Sequence, residues 1–393
     1  MPRLLSLTAI HARIPLKRDV KHASHTRREN DTLLVEAQLA DGGIGWGEAL
    51  PRPYVTGETI ESCFETLAAL DLKQFGGTIA GLSEAVHRCR DVRMPQRPHG
   101  QRDCFGNSVR CAVELAVLDA VARAEGVPLS RVTELVPEAQ AFRRSASQVR
   151  YGVAVMSVKP WKEAASALAY RLYGFQQCKV KVGVTGQNEP ASLRRIRRWA
   201  GAHMDVRVDA NEAWRPDEVE AKVAALQPFG ITSVEQPVPH SDVGSLAVIR
   251  PKLDVPLMLD ESLCSLGDAD RAIGDERCDL FNIRLSKCGG FINSLLLAAK
   301  ARDAGLGYQL GCMVGETGIL SAAGRHFACS VDGIRYLEGS FDRHLVAERL
   351  TEQDLTFGRG GIAPALANPG LGITIDPKAV ERVSVKRELL SIP

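Results

Sequence analysis

The sequence predicts an α/β protein, a (β/α)8-type barrel behind an α+β unit. Three observations carry this. From Tyr151 onward, eight short apolar strand candidates recur at nearly regular intervals. Helical patterns lie between most of them, and such alternation predicts parallel pairing, because each crossover needs a helix. Charged residues close consecutive strand candidates, as they do at the catalytic rim of a barrel. The 393 residues suit two domains, or one large barrel with an appendage.

The elements follow in order. Leu4 to Ile14 reads as a strand. Residues 17–31 are polar and rich in Lys, His and Arg, and are expected to form a mobile surface loop. Leu33–Leu39 alternates loosely, Asp41-Gly42-Gly43 supplies a hairpin turn, and Ile44–Leu50 returns. Helices are expected at about 58–70, 81–93 and 111–124, the last stopped by Gly126-Val127-Pro128. The barrel strands are expected at Gly152–Met156, Cys178–Val182, Val206–Asp209, Ser233–Glu235, Leu257–Asp260, Leu280–Leu285, Tyr308–Cys312 and Arg335–Glu338. Helices are expected between them, including Pro160–Tyr173, Glu189–Trp199, Pro216–Leu226 and Asn293–Ala304. A doubly wound sheet would want a Gly-rich phosphate loop after its first strand, and Met156-Ser157-Val158-Lys159-Pro160 is not one. The tail from about Leu350 carries Gly- and Pro-rich turns and is expected to pack back on the first unit.

Composition excludes several classes of function. The 49 basic and 47 acidic residues nearly cancel, which argues against a nucleic-acid partner. No apolar run approaches the ~18 residues of a membrane span. Arg13, Lys17 and Arg18 follow the first apolar stretch at once, so no signal peptide is expected. The ten Cys are scattered without CxxC or zinc spacing, as expected of buried thiols in a cytoplasmic protein.

The chemistry lies at the strand ends. Strand two ends in Lys179-Val180-Lys181, strand three in Asp209-Ala210-Asn211, strand four in Glu235-Gln236-Pro237, strand five in Asp260-Glu261-Ser262, and strand six in Ser286-Lys287. Steps of 28, 26, 25 and 27 residues from Lys181 to Lys287 place all five at one rim. A single strand-end Asp also serves as a helix N-cap. Three acids and two lysines in register are much harder to obtain by capping. Asp209, Glu235 and Asp260 converging without a cation would repel one another. Three oxygen ligands without His or Cys favour Mg²⁺, with Mn²⁺ as the alternative ion. Lys181 and Lys287 flank the metal from roughly opposite sides, which suits proton removal on one face of a substrate carbon and delivery on the other. The metal would hold a substrate carboxylate and stabilise the enediolate formed when its α-proton leaves. Lys179 shares its strand face with Lys181 and is expected to orient the substrate carboxylate.

At these motifs the chain resembles the enolase superfamily, in its muconate-lactonizing subgroup. Lys179-Val180-Lys181, Val208-Asp209-Ala210-Asn211, Val234-Glu235-Gln236-Pro237, Asp260-Glu261-Ser262 and Ser286-Lys287-Cys288-Gly289-Gly290 carry the resemblance, with Val113–Pro128 and Gly47-Glu48 extending it over nearly the whole chain. It implies a modified TIM barrel of (β/α)7β type with an α+β N-terminal capping domain completed by the C-terminal tail. The corresponding boundaries are 1–130, 131–345 and 346–393. It implies Mg²⁺ on Asp209, Glu235 and Asp260, Lys181 and Lys287 as acid and base, and Lys179 as assistant. Two cap segments, 17–31 and 51–58, would close over the site, and Tyr54 lies in the second. Dipeptide epimerases of the subgroup carry Asp-x-Asp at the eighth strand to grip the substrate ammonium. This chain has Leu337-Glu338-Gly339-Ser340-Phe341-Asp342 there, which leaves Glu338 for that role. Glu316 resembles the subgroup's seventh-strand Glu, and equally suits a helix start. The candidate substrate contacts are Lys179, Asn211, Tyr54, Glu316 and Glu338.

The expected activity is abstraction of a proton α to a carboxylate in a small molecule. Racemization or epimerization of a dipeptide, N-acyl amino acid or cyclic amino acid or betaine leads. A muconate-type cycloisomerase or an o-succinylbenzoate-synthase-like dehydratase is the alternative, and a non-catalytic metal-binding scaffold is the alternative from another class. The subgroup commonly forms dimers or octamers, so a homo-oligomer is expected.

Overall fold

Three sheets organise the computed structural model, which describes residues 1–21, 26–156 and 159–393. β1 (Leu4–Lys21), β2 (Thr26–Leu39) and β3 (Ile44–Ala49) form an antiparallel meander. β4 (Gln148–Arg150) precedes eight strands: β5 (Val153–Val155), β6 (Gln177–Lys181), β7 (Asp205–Asp209), β8 (Ile231–Glu235), β9 (Leu257–Leu259), β10 (Leu280–Ile283), β11 (Gly307–Leu310) and β12 (Ile334–Leu337). These pair in parallel, in sequence order. β13 (Ile362–Pro364) pairs with β4, and β14 (Ser384–Ser391) adds to β1, so the tail completes the N-terminal sheet.

The eight parallel strands curl so far that their ends meet. There the ladder reduces to one backbone bond, Gly152 N–H to Leu337 O at 2.8 Å. Helices Pro160–Tyr173, Glu189–Ala200, Val219–Leu226, Leu246–Ile249, Leu266–Gly274, Phe291–Asp303 and Gly318–Ser330 fill the seven crossovers, and the one-turn helix Asp342–Leu345 comes directly after β12. The result is a modified TIM barrel of (β/α)7β type. Local chemistry sets the helix starts. Pro160 sits in the first turn of its helix, while Asn188 and Ser265 accept N-terminal amides of theirs. No helix among the described residues is long and apolar enough to cross a membrane.

Residues 17–21 and 26–31 are arms of a long hairpin rather than a mobile loop: Val20 pairs with Arg27 and Lys21 with Thr26. Backbone pairing extends β1 and β2 beyond the core, where neither strand face needs apolar residues, so the polar sequence hid the strands. The tip, 22–25, lies outside the described residues. The hairpin reaches the barrel after β12: Lys17 donates to Arg343 O at 2.5 Å, and Ala347 N–H to Pro15 O at 2.8 Å.

Buried carboxylates join cap to barrel. β3 lies directly on the helix Asn107–Ala124, and a Cβ at Gly47 would stand 1.9 Å from Ala112 O. That approach carries Glu48 to the barrel helix Gly318–Ser330, where it accepts Thr317 N (2.8 Å), Thr317 Oγ1 (2.7 Å) and Leu320 N (2.9 Å). Glu114 likewise accepts Phe291 N (2.5 Å) and Ile292 N (3.1 Å) at the start of Phe291–Asp303. Gly290 makes room, since a Cβ there would stand 2.5 Å from Glu114 Oε1. Each carboxylate satisfies helix-terminal amides that have no partner within their helix.

Burial pushes the Glu48 carboxyl from an ordinary 4.5 up to about 7, against the pull of its hydrogen bonds. Between those values the folded chain holds a proton that the unfolded chain releases, so this group makes stability fall as pH rises. Glu48→Gln removes that slope. The variant's unfolding free energy relative to wild type should rise by about 2 kcal/mol from about pH 5 to about pH 7 in urea titrations; an unchanged difference would mean the folded carboxyl is ionised throughout. Gly47→Ala should cost about 1–3 kcal/mol in the same assay, because β3 must move off the helix.

Candidate active site

The inward residues at the C-terminal ends of the strands form one charged cluster. Lys181 stands in register with Asp209, and Asp209 with Glu235. Asp260 follows β9, Arg284 follows β10, Lys287 lies in the next turn, and Glu338 follows β12. Asp209, Glu235, Asp260, Lys179, Arg284 and Lys287 are all buried.

Ion pairs bind the cluster together. Lys179 Nζ lies 3.2 Å from Asp209 Oδ2, 3.5 Å from Glu235 Oε1 and 2.8 Å from Glu338 Oε1. Arg284 pairs with Asp260 and approaches Glu235 Oε1 at 3.6 Å. Lys287 Nζ lies 2.9 Å from Asp260 Oδ1 and donates to Leu263 O at 2.8 Å. Asn282 Nδ2 donates to Glu235 Oε1 at 2.8 Å. Burial, then the charge of Asp209, pushes the Glu235 carboxyl up to about 8. Burial also opposes ionisation of Asp260, but Arg284 and Lys287 outweigh it and hold that carboxyl below its ordinary value.

The two lysines are shifted in opposite directions. Burial lowers the Lys181 ammonium below its ordinary value; Asp209 opposes and Lys179 adds to the drop. Burial also works against charge on Lys287, but Asp260 more than compensates and raises it.

Neighbouring polar groups fix the loops. Gln236, at the left-handed φ of 36°, accepts Asp260 N (2.9 Å) and Ser262 N (3.1 Å) through Oε1. Asn107, from the cap, donates through Nδ2 to Lys287 O (2.7 Å) and Cys264 O (2.6 Å), tying the turns that carry Lys287 and Asp260. Asn211, at φ 44°, donates its N–H to Asp209 Oδ1 at 3.0 Å.

Sequence reasoning missed Arg207, Arg284, Asn282 and Asn107. Alternation offered a signal for three of them. Arg207 is two residues before Asp209 and so shares its face, and Asn282 and Arg284 share theirs. Asn107 had no local signal, because its partners lie far along the chain.

The remaining candidates are placed differently. Glu316 lines a small cavity with Tyr151, Gly311, Glu338 and Ser340. Its Oε1 accepts Met313 N at 2.5 Å, and burial pushes its carboxyl up to about 8. The adjacent helix start is served instead by Thr317 and Glu48. Tyr54 is half-buried against the core in segment 51–58 of the cap. That segment is held through Arg52, which donates to Asp31 O (3.1 Å) and to Asn30 Oδ1, and Asn30 donates on to Gly315 O (2.9 Å). Glu338 is engaged by both Lys179 and Arg207.

Among the described residues, no three acids already surround a common point. Their carboxylates turn instead to Lys179, Arg284 and Lys287. The donor chemistry nonetheless fits a hard divalent ion: three oxygen donors end adjacent strands, and Glu235 Oε2 is buried without a hydrogen-bond partner. A cation there would supply what that oxygen lacks.

Comparison with known proteins agrees with this architecture. Residues 162–379 match the family described as Enolase C-terminal domain-like. The chain is 32% identical to an L-Lys-D/L-Arg epimerase of Methylococcus capsulatus, over 91% of this chain and 95% of that protein. The N-succinyl Arg/Lys racemase of Bacillus cereus superposes with a TM-score of 0.85 at 24% identity, over 99% of this chain and all of that one. A dipeptide epimerase of Cytophaga hutchinsonii, solved with Mg and the dipeptide D-Ala-L-Val, superposes with a TM-score of 0.82 at 24% identity over the same shares. The barrel, the strand-end motifs and these matches together mean that the chain belongs to the enolase superfamily, beside its epimerases and racemases.

Proposed function

We propose that this chain is an Mg²⁺-dependent isomerase that racemizes or epimerizes an amino-acid derivative at its α-carbon. The observation that carries the reading is the pairing of Lys181, in register with Asp209, and Lys287, against Asp260, around one buried carboxylate cluster. Asp209, Glu235 and Asp260 would hold the ion. When bound, it supplies positive charge to a substrate carboxylate as negative charge builds there. Lys181 Nζ takes or gives the α-proton on one face, and Lys287 Nζ does so on the other. Lys287 is buried in the barrel, and Lys181 is half-buried at its rim. The activities of the Methylococcus, Bacillus and Cytophaga proteins support this chemistry, and the Mg in the Cytophaga structure supports the ion. The ten free cysteines support a reducing, cytoplasmic setting.

Proton NMR in D₂O with Mg²⁺ and a panel of N-acyl amino acids, dipeptides and cyclic amino acids should show loss of the α-proton signal in one substrate class. Lys181→Ala and Lys287→Ala should each lower turnover by about 10²-fold or more. Full turnover in either variant would remove that lysine from proton transfer.

Mg²⁺ at about 100 times its Kd should add about 2.7 kcal/mol to stability. Glu235→Gln should abolish that gain, and a gain that survives it would place the ion elsewhere.

A further inference from the structure

We propose that Cys104 of the cap and Cys264 of the barrel are an oxidative modification site, a thiol pair that a peroxide converts reversibly to a disulfide across the seam between cap and barrel. All ten cysteines are free. The thiols of these two, 160 residues apart in sequence, hydrogen-bond one another. Both sulfurs also reach one stretch of the cap. Cys264 Sγ lies 3.9 Å from Val55 O, and Cys104 Sγ 3.9 Å from Thr56 O. Residues on either side of Cys104 hold the seam shut. Asn107 Nδ2 donates to Cys264 O at 2.6 Å, and Arg102 Nη1 donates to Val55 O and to Glu261 O, each at 2.9 Å. The two thiols therefore stay together through contacts that do not involve sulfur.

The pair is also unequal, as a nucleophile and a resolving thiol must be. The bond from Cys104 holds the Cys264 thiol below its ordinary value against burial, and Lys287 and Arg102 add to the drop. For the other eight cysteines burial is the largest influence, and it pushes each thiol up. Cys264 thus attacks first. Its sulfur bonds to one oxygen of hydrogen peroxide, the O–O bond breaks, and the thiol proton completes the departing water, leaving a sulfenic acid. Cys104 sulfur then attacks Cys264 sulfur, the S–O bond breaks, and hydroxide leaves as water with the Cys104 proton. The two thiols lose two electrons and the peroxide gains them. Both sulfurs are buried, which favours a small uncharged oxidant. A disulfide holds its sulfurs at ~2.0 Å, closer than a thiol hydrogen bond. Closing that gap draws the Cys264 turn toward the cap, and Leu263 O of that turn accepts Lys287 Nζ at 2.8 Å. Oxidation therefore staples cap to barrel and displaces a partner of Lys287.

The test treats the full, reduced chain with a small molar excess of hydrogen peroxide and no substrate. Peptide mapping without reductant should find Cys104 joined to Cys264, two hydrogens lighter than the separate peptides, before the other cysteines are consumed. The Tm should rise by about 5 °C or more, and dithiothreitol should reverse both changes. A cross-link that forms first between other cysteines overturns the proposal. So does Cys264 carried to sulfinic acid with Cys104 still free, or a full set of thiols unchanged by peroxide. Cys104→Ser should abolish both the cross-link and the rise in Tm, and a rise that survives the substitution also overturns it. A last arm rests on the isomerase reading. On a substrate whose α-proton exchanges, oxidation should lower kcat about 10-fold in the wild-type chain and leave Cys104→Ser unaffected. Absence of exchange in the reduced enzyme strikes the isomerase reading alone, and the mapping and melting then decide the disulfide.

Discussion

Much of this molecule depends on one interaction, a buried carboxylate closing the N-terminus of a helix from another part of the chain. Glu48 and Glu114 come from the cap, and the helices they close belong to the barrel. The last residues before those helices include two of the candidate site groups. Lys287 stands four residues before Phe291, and Glu316 two before Gly318. Fixing the helix start therefore fixes the turn that carries each functional group. Glu58 does the same within the cap, accepting Gly106 N at 3.1 Å and Ser108 Oγ at 2.8 Å at the start of Asn107–Ala124. That helix in turn presents Asn107 to the turns of Lys287 and Asp260. Cap and barrel are two bodies by topology and one by hydrogen bonding.

The barrel interior shows what the site costs the fold. Arg207, Ser233, Asn282 and Gln309 are fully buried at inward positions where a purely structural barrel would place branched apolar residues. Charge pairing limits the penalty but does not abolish it, since buried ion pairs seldom outperform apolar packing. Backbone strain gathers at the same level: Asn211, Gln236 and Ser340, all after barrel strands, adopt left-handed φ without being glycine. The stable layers lie elsewhere, in the helix–strand packing outside the barrel and in the nearly all-buried helix Asn107–Ala124.

The legible and illegible parts of the sequence divide along sequence distance. The barrel strands could be read because each is a short apolar run with a charged end, and the crossover helices because their caps are local: Pro160–Tyr173 begins and ends where its proline and Gly174 require. The hairpin arms of 17–31 were hidden because strands held by backbone bonds over a solvated surface leave no apolar alternation. Asn107 and the partners of Glu48 were hidden because the contacts span 180 and 269 residues. Arg207 and Arg284 stood in plain view, but alternation says only that they point inward. Which carboxylate each meets depends on register with other strands.

The cap has a second consequence for the site. The arms are anchored to the ends of two neighbouring barrel strands, by Lys17 and Pro15 to the segment after β12 and by Asn30 to the turn after β11. Arg52 ties the second cap segment to the same Asn30. These anchors also hold the turns that carry Glu316 and the segment that follows Glu338. Change in this cap thus has two routes of very different difficulty. Side chains on the arms can vary while the backbone bonds persist, because those bonds are indifferent to residue type. Replacing Asn30, Arg52 or Glu48 would instead remove the hydrogen bonds that hold Gly315, the second cap segment and the helix start at Thr317.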